Sequence, residues 1–144
     1  MVVEAIVDTD NDMINSPSHY LRGKHEVIEV LEAWDLPFHI SCAVKYLARN
    51  GFKNDEKEEM EKCFWYLKRW QFVLRQRAGI SVDFLNVIPV KLTADQEGDG
   101  FSIYAILNDW QLANTVVGLI LMYIYNGELQ LAIDQLSTYI ESLD

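Results

Sequence analysis

Lys45-Tyr46-Leu47-Ala48-Arg49-Asn50-Gly51-Phe52-Lys53 reads as the last turns of one helix and the reversal that leads into the next. Lys45 and Arg49 are four residues apart, so on a helix they project from one face a turn from each other. Like charges at that spacing repel mildly unless an anion sits between them. Gly51 suits the left-handed position that closes a helix, and Lys53 follows just beyond the turn. Cations converging at a helix end suit a phosphate group, which arginine can grip with two parallel hydrogen bonds. The same residues also fit a solvated basic helix end that complements the helix dipole.

Working outward from this stretch, apolar periodicity predicts helices on both sides. Upstream, Val27, Ile28, Val30, Leu31 and Trp34 form one stripe over residues 24–34, with Glu26, Glu29 and Glu32 on the other side. Leu36-Pro37 ends that helix and Pro37 opens the next, over about 38–50, which buries Ile40, Val44 and Leu47. Downstream, Asp55 with Glu58 matches an acidic capping box. A third helix over 56–77 has Met60, Cys63, Phe64, Leu67, Phe72 and Leu74 on its apolar face and Lys62, Arg69 and Arg75 away from it. Residues 80–92 are apolar without a clean period, Asp95 to Gly100 reads as a loop, and Phe101–Leu107 fits a strand or a helix start. Asp109 is placed to cap a helix over 110–125, and Leu129, Ile133, Leu136, Ile140 and Leu143 mark a last helix over 128–143. The expected fold is therefore mainly all-α. An acidic arm (1–13) precedes a helical region (14–78) and a C-terminal region (79–144) that ends in a helical hairpin, with 80–108 open. Because Val116–Ile124 is apolar on every side, the 110–125 helix is buried either by its own chain or by a second subunit, and the expectation is that it lies at or beneath the interface of a homo-oligomer.

The chain has 144 residues, half of them hydrophobic, and a net charge of −10. No apolar run reaches the roughly 18 residues that span a bilayer, and the N-terminus lacks the basic start of a signal peptide. A cytoplasmic protein without membrane association is expected. Eleven of the twelve Lys and Arg lie within residues 13–77, whereas residues 78–144 carry Lys91 alone against nine acids. That distribution disfavours general nucleic-acid binding and suits a small anionic ligand. Cys42 and Cys63 sit among apolar neighbours and read as buried free thiols. With His19, His25 and His39 they offer no metal spacing.

His19, in the turn-rich entry Asn15–Tyr20, is the candidate for acid–base chemistry or phosphate contact, or else a turn residue packing on the first helix. Trp65, Tyr66 and Trp70 can stack on a base or fill the core. The acids of 55–61 read as a solvated helix start. Neither a Walker phosphate loop nor a Gly-x-Ser-x-Gly elbow is present.

Three stretches together resemble a phage family. They are Pro17-Ser18-His19-Tyr20 with Gly23 and Glu26–Val30, then Lys45-Tyr46-x-x-Arg49-x-Gly51-x-Lys53, then Glu58–Arg69. Over roughly 14–72 the order and spacing are similar to those of the small SaV-like phage proteins, which include the nucleotide kinase of T7-like viruses. The resemblance implies phosphoryl transfer to a deoxynucleoside monophosphate, with ATP or another nucleoside triphosphate as donor. It implies phosphate contacts from Lys45, Arg49 and Lys53, a site bordered by His19 and Tyr20, and Lys62, Tyr66 and Arg69 flanking it. The host cytoplasm would be the compartment. The expectation is a nucleotide-binding phage protein, with kinase activity as what the resemblance implies. The alternative is an oligomeric protein that sequesters a nucleotide or inhibits a host protein without catalysis. Replacing Lys45 or Arg49 by Ala is expected to weaken nucleotide binding and leave folding intact, since it relieves like-charge repulsion.

Overall fold

The computed structural model describes residues 24–51, 55–78 and 89–144. The acidic arm, the entry turn with His19 and Tyr20, Lys53 and the apolar stretch 80–88 lie outside the described residues. Among those described, seven helices form and there is no strand: α1 (Val27–Trp34), α2 (Phe38–Ala48), α3 (Glu56–Ala78), α4 (Ala94–Gly98), α5 (Ile103–Asp109), α6 (Val116–Tyr125) and α7 (Leu129–Ser142). The all-α expectation is met.

Four of them close a ring. Helix α2 packs along α3, α3 along α7, α7 along α6, and α6 returns to α2. Ile40, Val44 and Leu47 of α2 meet a common buried core with Met60, Cys63 and Leu67 of α3, Val117, Ile120, Leu121 and Ile124 of α6, and Leu129, Ile133 and Leu136 of α7. The 3.6-residue spacing of these side chains gives each helix one apolar stripe, and the ring is the arrangement that lets all four stripes face inward. Cys63 donates its thiol to the carbonyl of Ala43 at 3.4 Å, and burial pushes that thiol well up from its ordinary value. It and Cys42 are free thiols; Cys63 is buried as expected, whereas Cys42 is half-buried.

Helix α1 packs on α2 and is tied by polar bonds to α5 and the residues flanking it. Glu26 and Glu29 form a capping box. The backbone N–H groups of Lys24 and His25 donate to the two carboxylate oxygens of Asp109 at 2.7 and 2.9 Å. The indoles of Trp34 and Trp110 donate to the carbonyls of Phe101 and His25.

Two expectations are corrected. Asp109 does not cap a 110–125 helix: it ends α5, and α6 starts only at Val116, capped by the Thr115 hydroxyl, which accepts from Gly118 N–H at 3.0 Å. Between them Gln111 and Asn114 take positive φ values of 59° and 62°, which breaks any continuous helix. Asp95–Gly98, expected as loop, is the helix α4, started by a capping box between Thr93 and Gln96. The two ends of Phe101–Leu107 resolve as bend and helix, with Ser102 capping α5. Helix α6 finds most of its cover within the chain. Val117, Gly118, Ile120, Leu121 and Ile124 are buried by the chain itself, and only Val116 and Leu119 are exposed.

That burial brings the backbone of α6 close to the turn before it. A Cβ on Gly118 would lie 2.1 Å from the carbonyl oxygen of Leu112, whereas one on Gly98 meets nothing within 4 Å. Gly118→Ala should therefore lower stability by about 1–3 kcal/mol through overpacking against backbone, while Gly98→Ala should be neutral or slightly stabilising. Urea denaturation of the two variants checks the contrast.

Candidate functional site

Antiparallel α2 and α3 meet along a seam that alternates rings and charges. From α2 come Phe38, His39, Cys42 and Tyr46, and from its cap Arg49; from α3 come Glu59, Lys62, Tyr66 and Trp70. Tyr46 stacks on Tyr66 with centroids 6.0 Å apart, Phe38 meets Tyr66 edge-on at 6.5 Å, and His39 stacks on Trp70 at 5.4 Å. Trp65 stands edge-on to Tyr66 at 5.1 Å. Trp70 is buried, Tyr46 and Tyr66 are half-buried, and Phe38 is 70% exposed. The Tyr66 phenol is held above its ordinary value, chiefly by the neighbouring Cys42 and then by burial.

The loop end of the seam is a charge network. Helix α2 stops at Ala48, so Arg49 is its cap residue rather than part of its last turn, and Gly51 takes the expected positive φ of 92°. The Arg49 guanidinium lies over the Tyr46 ring at 5.3 Å and pairs with Glu59 Oε1 at 3.0 Å. Both side chains of that pair are about nine-tenths buried, at 11% and 10% exposure. The other oxygen of Glu59 faces Lys62 Nζ at 3.4 Å, and Lys62 also reaches Glu58 at 3.6 Å. The hydrogen bond to Glu59 is the main reason the Lys62 ammonium is held above its ordinary value. Next to Arg49, Asn50 donates to Glu56 Oε2, which also accepts from the Tyr139 hydroxyl of α7. Burial and that bond push the Tyr139 phenol up to about 12.

Of the residues singled out from the sequence, Lys45, Arg49, Lys62, Tyr66 and Arg69 belong to α2, its cap and α3. Lys45 is half-buried in the last turn of α2. Arg49 is engaged by Glu59. Lys62, Tyr66 and Arg69 form one stripe of α3 at spacings of four and three, with the Arg69 guanidinium over the Phe72 ring at 4.9 Å. His19, Tyr20 and Lys53 lie outside the described residues. Phe72, expected in the core, is exposed, and Trp70 and Gln71 are buried in its place. Gln71 donates to Gln130 of α7 at 2.7 Å.

Glu59 is the residue that sequence reading missed. Among the acids of 55–61 it was assigned to a solvated helix start, yet it is buried. The signal was its position: Glu56, Glu59, Met60 and Cys63 share one stripe of α3, so a carboxylate there needs a cation from a neighbouring helix. No cluster of three or more His, Cys, Asp or Glu suited to a metal occurs among the described residues.

A family described only as a protein of unknown function (DUF3310) matches residues 14–68. The match covers less than half of the chain, ending within α3, and it takes in α1, α2 and the Arg49–Glu59 pair. No curated protein and no solved structure matches the chain.

Two outcomes follow from the network. Arg49→Ala leaves Glu59 buried with only Lys62 beside it and should cost about 3 kcal/mol, the range for breaking a buried pair. The expectation that folding is untouched is thereby revised. Lys62→Ala, on an exposed ammonium, should cost far less, because solvent screens its pairs with Glu58 and Glu59. Chemical denaturation at neutral pH measures both. For Tyr139 the folded chain holds the phenol protonated up to about 12, against an ordinary 10.0. Its contribution is therefore complete below pH 10 and is lost as pH rises through about 12. Tyr139→Phe should show a shallower alkaline decline of stability across that window.

Proposed function

We propose that this chain binds a nucleotide on the α2–α3 seam. The observation that carries the reading is Tyr66, which lies one helical turn from Lys62 on one side and from Arg69 on the other and joins the rings of Tyr46 and exposed Phe38. A half-covered aromatic ring offers a base a stacking platform worth about 1–3 kcal/mol. The flanking cations supply charge-assisted hydrogen bonds to phosphate, and Lys45 sits beside Tyr46 on the opposite helix. In this reading Arg49 serves the fold first, because any phosphate reaching its guanidinium competes with Glu59 at 3.0 Å.

The resemblance to the SaV-like phage proteins adds the substrate class, a deoxynucleoside monophosphate, and a nucleoside triphosphate as phosphoryl donor in the host cytoplasm. Electrostatic clamping of the transferred group by Lys62, Arg69 and Lys45 would be the chain's contribution to such a reaction. The second reading, sequestration without catalysis, draws support from the engagement of Arg49 by Glu59, which leaves the transfer reaction one fewer uncommitted bidentate clamp.

Thermal-shift titration with deoxynucleoside monophosphates and ATP tests binding, since a ligand of the native state raises its melting temperature. The parent should be stabilised by at least one of them, and Tyr66→Ala or Arg69→Ala should weaken that binding about 10- to 100-fold with the fold intact. A parent indifferent to every nucleotide at millimolar concentration ends the reading. Phosphoryl transfer from ATP to the bound monophosphate, followed by chromatography, separates kinase from sequestering protein.

A further inference from the structure

Helix α3 carries a second face, turned away from the seam. Together with α7 it encloses a groove of about 510 Å³ lined by Phe64, Trp65 and Ile140, with exposed Glu61, Lys68 and Glu141 around them. Trp65 is 58% exposed, unusual for a side chain of that apolar area. The groove is electrically polarised along its length. Helix α7 runs antiparallel to α3, with Gln130 near its start on Gln71 and Asp144 beyond its end on Lys57. Glu141 therefore lies at the same end as Glu61, and Lys68 lies at the other. Glu61 and Lys68 are seven residues apart, about two helical turns, so they share the stripe that also carries Trp65 and exposed Phe72.

We propose that this groove is the contact between two copies of the chain, related by a two-fold axis passing between Phe64 and Trp65. A surface that pairs with itself must be self-complementary under that axis. Here the midpoint of Glu61 and Lys68 falls at the axis, so the acidic end of each copy meets the basic end of the other. Each Glu61 faces the second copy's Lys68, and the pairing occurs twice. The two α3 helices run antiparallel, and each Trp65 enters the other copy's groove against Phe64 and Ile140. A central Trp in an apolar pocket ringed by charge is the pattern of an interface anchor. The stripe 61, 65, 68 and 72 adjoins Lys62, Tyr66 and Arg69 and touches them through Trp65 beside Tyr66 and Phe72 under Arg69. The charge changes at Glu61 and Lys68 probe pairing apart from nucleotide binding, and this inference does not rest on the proposed function.

Sedimentation of the full chain over a concentration series at low salt tests it. The parent should show a reversible monomer–dimer equilibrium. Trp65→Ala should raise the dissociation constant by roughly tenfold or more, and Glu61→Lys and Lys68→Glu should each do likewise, because each places two like-charged pairs in the contact. The double variant Glu61→Lys/Lys68→Glu should regain most of the parent's association, which only a contact joining 61 to 68 across copies allows. All three side chains are exposed, and circular dichroism verifies that the variants fold. A parent that stays monomeric at hundreds of micromolar overturns the proposal. So does a dimer indifferent to these changes, or a double variant no better than the single ones.

Discussion

A carboxylate buried between two helices has to be neutralised where it stands, and Glu59 sets that condition for the α2–α3 pair. Its two oxygens face Arg49 from the end of α2 and Lys62 from its own helix. Leaving the charge unpaired would cost more than either contact gains. The register of α2 on α3 is therefore specified by charge at the loop end and by ring stacking farther along. The other helices of the ring fill in around that pair: α7 closes on α3 through Tyr139 at Glu56 and Gln130 at Gln71, and α6 joins α7 back to α2.

The interaction also divides the cationic residues by role. Arg49 and Lys45 look equivalent in the sequence, as two charges one helical turn apart. In the fold Arg49 leaves the helix at the cap position and turns its planar group inward, over Tyr46 and onto Glu59. Guanidinium suits that place because it stacks and pairs at once and is weakly hydrated. Lys62 and Arg69 remain exposed on α3 beside Tyr66, with Lys62 also bridging Glu58 and Glu59. A basic segment in an acidic chain thus serves the fold at one end and leaves cations exposed beside Tyr66 at the other.

Most of the helical architecture was legible because apolar spacing and end signals agreed: Pro37 before α2, Asp55 before α3, and Gly51 and Gly127 at positive φ where chains reverse. The errors arose where a local signal had two physical uses. Asp109 has the chemistry of a helix cap but spends its carboxylate on the backbone of Lys24 and His25, a partner 84 or more residues away in sequence that no local pattern reveals. Val116–Ile124 left open in the sequence whether its own chain or a second subunit covers it; α2, α5 and α7 pack on it, with Val116 and Leu119 exposed, information that belongs to the tertiary fold. For the site, spacing placed Lys62 and Arg69 only away from the core of the third helix; that they flank a site with Tyr66 was legible only through the family resemblance. The commitment of Arg49 was not legible, since it required knowing which helix lies opposite.

The division of roles between Arg49 and the outer stripe is the central claim, and side-chain NMR during a nucleotide titration tests it most directly. With the chain labelled at nitrogen and carbon, addition of a deoxynucleoside monophosphate should shift the Lys62 ammonium, the Arg69 guanidinium and the Tyr66 ring. The Arg49 guanidinium, locked on Glu59, should keep its position throughout. Shifts at Arg49 as large as those at Arg69, or a stripe that does not respond at any concentration, would contradict the account.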